Sequence, residues 1–407
     1  MPADDIVITG LGIVSPIGGD ARSTMDALLR GESGVTLLPE DQGERTPVRL
    51  HAPVDDAALT RVSRRERLRY DRSTQLALQA GREAWEDAGA PEADPSRVAS
   101  VVATGMGGLT ILLELYDRYL IKGPISVPAH TIPGIMANAS SALLATEIGA
   151  RAAAVSLASA CASGADAIAH AMRLFRDDEI DLALAGGTEA IVHPVTLSAF
   201  AALRALSRRH DDPPHASRPF DRDRDGFVLG EGAGVLVMER RRHAEARGAR
   251  IWARAAGSGS TCDGSHLVAP DPTGQWNAAA IGKALRAAQM GPSDIACVSA
   301  HATATVQGDL AETEALKKAF NGPIAVTALK SSFGHMIGAS GAVAAAVAAL
   351  SVHDKTVPPT RNLDNLDPAI DLDVVRGTAR PLPAGAAVLV NAAGFGGHNT
   401  AVVVTAE

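Results

Sequence analysis

Three side chains in this sequence carry the chemistry needed for covalent acyl transfer. Cys161 stands in Ser159-Ala160-Cys161-Ala162-Ser163-Gly164, where small neighbours leave a substrate room to reach the sulfur. The apolar run Val155 to Ala158 before it predicts a buried strand. After it, Ala165, Ile168, Ala169, Met172 and Phe175 recur at helical spacing. A cysteine at such a junction lies near free backbone N–H groups and the positive end of a helix dipole, which is expected to lower its pKa and supply a thiolate near neutral pH. A small buried cysteine filling a turn fits the same stretch. His301, in Val298-Ser299-Ala300-His301-Ala302-Thr303-Ala304-Thr305, and His335, in Lys330-Ser331-Ser332-Phe333-Gly334-His335, also follow predicted strands. One histidine so placed is usually structural. Two of them and a cysteine, all at strand ends, suit acyl chemistry. Gly394-Phe395-Gly396-Gly397-His398-Asn399 reads either as a plain turn or as a flexible loop offering a backbone oxyanion donor and a movable aromatic gate.

These groups need a scaffold, and the pattern predicts one. Strands are expected at Ile6–Thr9, Val98–Ala103, Asp181–Ala185 and Val235–Glu239, and helices at 20–31, Asp71–Ala88, 109–121, 133–149 and Glu239–Arg250. The pattern then starts again. Strands are expected at Ile251–Ser258, Ile295–Ala300, Ile324–Thr327, Ala387–Val390 and Ala401–Val404, with helices at Asn277–Gln289, Asp309–Ala319 and Gly341–Leu350. Buried strands alternating with helices imply an α/β sandwich. In each half a strand runs into a reactive loop and then a helix, the place where open α/β sheets bind ligands. A duplication with its boundary near residue 250, giving halves 1–250 and 251–407, is the simplest account.

Composition narrows the function. Aromatic residues make up 3% of the 407 and the net charge is −8, against a stacking surface or a generally basic nucleic-acid binder. Three cysteines, Cys161, Cys262 and Cys297, suggest a reducing compartment rather than a disulfide framework. The start MPADDIVITG lacks the pattern of a signal peptide, and Gly341–Leu350 is too short to cross a bilayer. A cytoplasmic protein is expected, with no membrane partner.

Two motifs imitate other chemistries. Gly10-Leu11-Gly12 follows a strand, but Ser15 stands where a dinucleotide fingerprint needs its third glycine, so a tight turn is expected and NAD is not. Asp221-Arg222-Asp223-Arg224-Asp225-Gly226 opens like a calcium loop, but Gly232 stands where the closing acid belongs; a loop held by local Arg–Asp pairs is expected. No His or Cys pair has zinc spacing, and no metal is expected.

The chain resembles the elongating β-ketoacyl-acyl-carrier-protein synthases, the thiolase-fold condensing enzymes of fatty-acid and polyketide synthesis. The resemblance rests on Val7-Ile8-Thr9-Gly10-Leu11-Gly12, the cysteine block, Arg218-Pro219-Phe220-Asp221 to Gly232, both histidine blocks and the final GFGG loop, nearly end to end and in order. It implies a five-layered α-β-α-β-α sandwich of two duplicated halves and a decarboxylative condensation without a cofactor of the enzyme's own, the substrates riding on the phosphopantetheine of acyl carrier protein. By the same resemblance Cys161 is the nucleophile, and the N–H groups of Cys161 and Phe395 form the oxyanion hole. His301 and His335 stabilise the malonyl-derived enolate as neutral donors, and Lys330 orients and polarises the His335 region. Met106 and Phe395 gate the acyl pocket, Thr303 and Thr305 bind the pantetheine arm, and Arg65, Arg69, Arg204 and Arg209 dock the carrier protein. The partner is a second copy or a chain-length-factor paralogue. Four positions depart from the family pattern: Ala302 for glycine, Ser299 for asparagine, Ala392-Ala393 for Ser-Phe, and Ala344 for a glutamate near the active site. They point toward a specialised pathway. A thiolase acting on coenzyme A esters would need a second cysteine near the C-terminus, and none follows Cys297. A non-catalytic chain-length factor would lack Cys161.

Overall fold

Apolar residues in the strands alternate between two destinations, and that alternation builds three slabs of core. In Leu182–Glu189, Leu184 joins one outer core while Ala183 and Ala185 face the centre; in Ala387–Gly394, Leu389 faces the other outer core while Val388 and Val390 face the centre. The computed structural model describes residues 5–44, 46–320 and 322–407 of the chain, so Met1 to Asp4, part of the signal-peptide reading, lie outside the described residues. Its principal strands are β1 (Ile6–Val14), β2 (Val98–Ala103), β3 (Ala153–Val155), β4 (Leu182–Glu189), β5 (Gly232–Arg240), β6 (Ala253–Cys262), β7 (Ile295–Ser299), β8 (Ala325–Thr327), β9 (Asp373–Val374), β10 (Ala387–Gly394) and β11 (His398–Thr405). The helices that cover them are α1 (Arg72–Asp87), α2 (Ala139–Ile148), α3 (Ser163–Arg176), α4 (Gln275–Ala288), α5 (Val306–Ala319) and α6 (Ile337–Asp354).

The first five strands lie in the order β1-β5-β4-β2-β3, and the second set repeats it as β6-β11-β10-β7-β8, with β9 added at the edge. The helix connections repeat as well, α1, α2 and α3 matching α4, α5 and α6. The two sheets join through a short antiparallel seam, Val7 opposite Arg254 and Ile8 opposite Ala253. Helices α1 and α2 cover the outside of the first sheet, α4 and α5 the outside of the second, and α3 and α6 lie between the sheets. This is the five-layered arrangement expected. Gly164 in α3 approaches Ala342 of α6, and Gly341 in α6 approaches Ala165 of α3, so closely that a methyl group at either glycine would press on the facing helix.

The structure corrects several expectations. Gly10-Leu11-Gly12 is no tight turn. It lies inside β1, and neither glycine has a positive φ. A methyl group at Gly12 would overlap the carbonyl oxygen of Ala80 in α1, so glycine is there to let the helix approach the strand. The stretch 133–149 is two helices, Thr131–Ile135 and Ala139–Ile148. Strand β3 ends at Val155, the first residue of the apolar run expected to form it. Helix α6 has 18 residues, longer than Gly341–Leu350, and by length and composition alone it could cross a membrane; here 83% of that span is buried within the protein. The Arg–Asp loop is only partly local. Arg218 pairs with Asp221, but Arg224 reaches Asp309 and Asp367. The Asp221 carboxylate accepts N–H bonds from Asp223, Asp364 and Asn365.

Candidate active site

The site is assembled at the C-terminal ends of parallel strands. Strands β2, β3 and β4 run parallel in the first sheet, and β7, β8 and β10 in the second. Met106 follows β2, Cys161 follows β3, Glu189 ends β4, His301 follows β7, Lys330 follows β8 and Phe395 follows β10. All except Lys330 and Glu189 line one cavity of about 500 Å³, which also takes in Thr303, Thr305, His335 and Arg204. The two central helices begin here, α3 just after Cys161 and α6 just after His335, so their positive ends converge on the cavity.

Cys161 sits in a single 3-10 turn, Ala160–Ala162, and is 8% exposed. Its own backbone N–H and that of Phe395 lie near the sulfur and favour its thiolate. The thiol's acidity runs opposite to expectation. Burial pushes it up to about 12, and the Lys330 charge and the two N–H groups only partly offset that. Desolvation outweighs the helix terminus because the sulfur is enclosed rather than open to water.

The two imidazoles meet edge to face with ring centroids 5.4 Å apart. Burial, reinforced by the Lys330 charge, holds both well below 6.5, so both are neutral. His335 Nδ1 lies 3.0 Å from Ser340 Oγ, while its buried Nε2 has no partner. Phe227 packs edge-on against His335 at 5.3 Å and against Phe200 at 5.4 Å, and Phe200 meets Phe395 at 6.5 Å. Lys330 is brought to His301 rather than to His335: its ammonium donates to the His301 carbonyl oxygen and reaches His335 only through its charge. Burial lowers Lys330 to about 8.

Three carboxylates hold this arrangement, and the sequence reading passed over all of them. Glu312 accepts bonds from the N–H groups of His301 and Ala302, both at 2.7 Å, and from Asn391 Nδ2 at 2.6 Å. Asp309, one helical turn earlier, accepts from the N–H groups of Phe220 at 2.8 Å and Ala304 at 3.1 Å. Glu189 accepts from the N–H groups of Gly105, Met106 and Gly338 and from Thr104 Oγ1, tying the Met106 loop to the start of α6. One signal was legible: Asp309 and Glu312 stand three apart on the inward face of α5, where acids need partners.

The remaining expected positions fall as follows. Thr303 and Thr305 share a hydroxyl–hydroxyl bond of 3.0 Å on the cavity wall, and Thr305 caps α5. Met106 is 46% exposed at the cavity. Arg204 lies at the cavity, but Arg209 donates to the Asp223 carbonyl oxygen at 2.9 Å and is half-buried. Arg65 and Arg69 are exposed on a separate segment. Arg69 leans over Tyr70, and Arg65 has no ion-pair partner among the described residues. No described contact joins these two arginines to Arg204 or Arg209. Ala344 is half-buried against the main core and does not line the cavity.

Comparison with known proteins agrees with this geometry. Residues 3–244 match the family model of the beta-ketoacyl synthase N-terminal domain, and residues 252–364 that of the C-terminal domain. A 3-oxoacyl-[acyl-carrier-protein] synthase 2 of Mycobacterium bovis is 41% identical over 401 residues, covering 98% of this chain and 96% of that protein. The protein of the same name from Synechocystis is 39% identical over 400 residues, covering 97% and 96%. Among solved structures, a beta-ketoacyl synthase from Burkholderia phymatum superposes with a TM-score of 0.91 at 33% identity, over 99% of this chain and 100% of that one. A type II polyketide ketosynthase in complex with its acyl-carrier protein superposes at 0.89 with 29% identity, over 100% of both chains. The ishigamide ketosynthase/chain length factor gives the same TM-score, identity and coverage. This chain belongs to the beta-ketoacyl synthase family.

Proposed function

We propose that this protein is an acyltransferase that condenses a Cys161-bound acyl chain with malonyl-carrier protein, releasing CO₂ and forming a β-ketoacyl-carrier protein. The observation that carries this reading is the cavity itself: a sulfur flanked by two backbone N–H groups, facing two neutral imidazoles. In the first half-reaction the sulfur attacks the acyl thioester. The carbonyl oxygen takes negative charge at the N–H groups of Cys161 and Phe395, and the carrier thiol leaves with the cysteine proton. Because burial keeps the free thiol protonated, the proton moves as the thioester arrives rather than beforehand. In the second, the bond to the malonyl carboxylate breaks and its electron pair becomes an enolate, held by N–H donors from His301 and His335. The enolate carbon attacks the Cys161 thioester, and the sulfur leaves as a thiolate that takes a proton from solvent to restore the thiol. Thr303 and Thr305 line the path of the pantetheine arm, and Met106 and Phe395 gate the acyl pocket. Neither step needs a metal or redox cofactor.

The reading extends to partners and place. Helix Leu109–Lys122 has no buried residue, and Leu120, Ile121 and Ile125 beyond it are 62%, 81% and 97% exposed. An apolar surface of that kind suits a subunit interface. Its occupant is a second copy of this chain or, as in the ketosynthase/chain length factor structure, a paralogue. Acyl carrier protein is the substrate-bearing partner, with Arg65, Arg69, Arg204 and Arg209 as its docking arginines. The halves 1–250 and 251–407 are the two duplicated units, and three free cysteines fit a cytoplasmic enzyme.

The test is mass spectrometry of the purified chain after incubation with acyl-carrier proteins, followed by malonyl-carrier protein. An acyl adduct on Cys161 that is discharged as a β-ketoacyl product is expected, with both lost in Cys161→Ala. An adduct on Cys262 or Cys297 overturns the assignment.

A further inference from the structure

The proposed chemistry asks His335 to present a proton on the nitrogen that faces the cavity, and a neutral imidazole carries only one. Its Nδ1 faces Ser340 Oγ at 3.0 Å, while Nε2, the ring's other nitrogen, is buried without a partner in a residue that lines the cavity. The position of the proton therefore depends on which way the Ser340 hydroxyl points. Ser340 stands in the first turns of α6, 4% exposed, and among the described residues its hydroxyl has no other hydrogen-bond partner. Among the described residues neither a helix carbonyl nor a carboxylate accepts from it. Turned toward Nδ1 as donor, it fills that nitrogen's lone pair and leaves the ring proton on Nε2. The opposite arrangement would place a lone pair against the developing enolate.

We propose that Ser340 is a positioning residue that donates to His335 Nδ1 and fixes His335 as the Nε2–H tautomer used in malonyl decarboxylation. This rests on the condensing function proposed above. The neighbours fit such a role. Phe227 holds the ring edge-on, His301 borders it on another side, and the Lys330 charge opposes a second proton on the ring. Ser340 and His335 belong to the same chain turn, so the donor moves with the ring it orients. Outer groups that fix an imidazole's tautomer act in the same way at metal sites, where they set which nitrogen is left to work.

The experiment is nitrogen-15 NMR of the intact protein carrying labelled histidine, with the His335 signals identified by their loss in His335→Gln. Wild type is expected to show His335 protonated at Nε2. Ser340→Ala should shift the signals toward a mixture of tautomers and slow decarboxylation of malonyl-carrier protein about five- to tenfold, the scale of one net hydrogen bond. Acylation of Cys161 should fall much less. Ser340→Thr, which keeps the donor, should restore both tautomer and rate. A wild-type proton on Nδ1, or a Ser340→Ala protein with unchanged tautomer and decarboxylation, overturns the proposal. The wild-type spectrum needs no substrate, and its tautomer reading does not depend on Ser340→Ala folding. Failure of the condensing function would appear separately, as wild-type protein that never acylates Cys161.

Discussion

Replacing Glu312 by glutamine tests the frame around the two cavity histidines of the second half. The substitution keeps size and shape but removes a charge and one acceptor. Every position around the carboxylate is a donor: the N–H groups of His301 and Ala302, Asn391 Nδ2, and the nearby Lys330 ammonium. Whichever way the glutamine amide turns, its NH₂ faces another donor, and at least one buried donor is orphaned at a cost of about 1–3 kcal/mol. The lysine adds a second cost. Without its carboxylate it can escape by losing its proton, and from a pKa of about 8 that costs about 1.4 kcal/mol at pH 7. The sum is about 2–4 kcal/mol of stability at pH 7. At pH 9 the wild-type lysine is already largely neutral, so its share vanishes and the loss should shrink by about 1.4 kcal/mol. The same group sets a pH trend expected in the wild type. Its folded Lys330 lies below the usual 10.5, so the unfolded chain binds that proton more tightly, and this group favours folding increasingly as pH rises from about 8 to 10.5. Urea unfolding at pH 7 and pH 9 measures both quantities. A loss below about 1 kcal/mol at pH 7, or one that grows toward pH 9, would refute the reasoning.

Three further outcomes are expected. Gly12→Ala should cost about 3 kcal/mol in urea unfolding, because the clash is with α1 backbone that cannot rotate away; a cost below about 1 kcal/mol would mean the helix is not seated on β1 as described. His301→Ala and His335→Ala should each lower malonyl decarboxylation by about a hundredfold or more while leaving Cys161 acylation measurable by mass spectrometry; either variant decarboxylating normally misplaces its role. Arg65→Glu with Arg69→Glu should raise the KM for carrier-protein substrates, with added salt raising the wild-type KM as well, while small acyl thioesters react as before; equal slowing of both substrate types would make the segment structural.

What the sequence could disclose follows from how far each signal reaches. Cys161, His301 and His335 were legible because a strand, a small-residue loop and a helix start leave a local pattern. So were the duplicated halves, since each repeats its strands and helices in the same order. Gly10 and Gly12 misled because a glycine that admits a helix from far along the chain looks, in one dimension, like a glycine that turns the chain. Glu312, Asp309 and Glu189 were missed for a related reason: most of their partners are backbone N–H groups of distant segments, which have no residue code. The acidity of Cys161 was misjudged because the helix terminus is local and readable, whereas the depth of burial that outweighs it depends on the whole fold.

Helix α6 comes from the second half of the chain but roofs the sheet of the first, packing on β4 and β5. Synthesis proceeds from the N-terminus, so the strands of the first sheet emerge from the ribosome well before the helix that covers their inner side. During that interval Ala183, Ala185, Leu236 and Met238 lack the helix that completes their cover. When α6 does emerge, it brings a span that is long and apolar enough, by length and composition alone, to cross a membrane. The nascent chain thus has two surfaces to keep from competitors until they find each other. A chain cut short before Asp354 would never bury the first of them fully, and its fate would lie with chaperones and proteases rather than with the reaction it was built to catalyse.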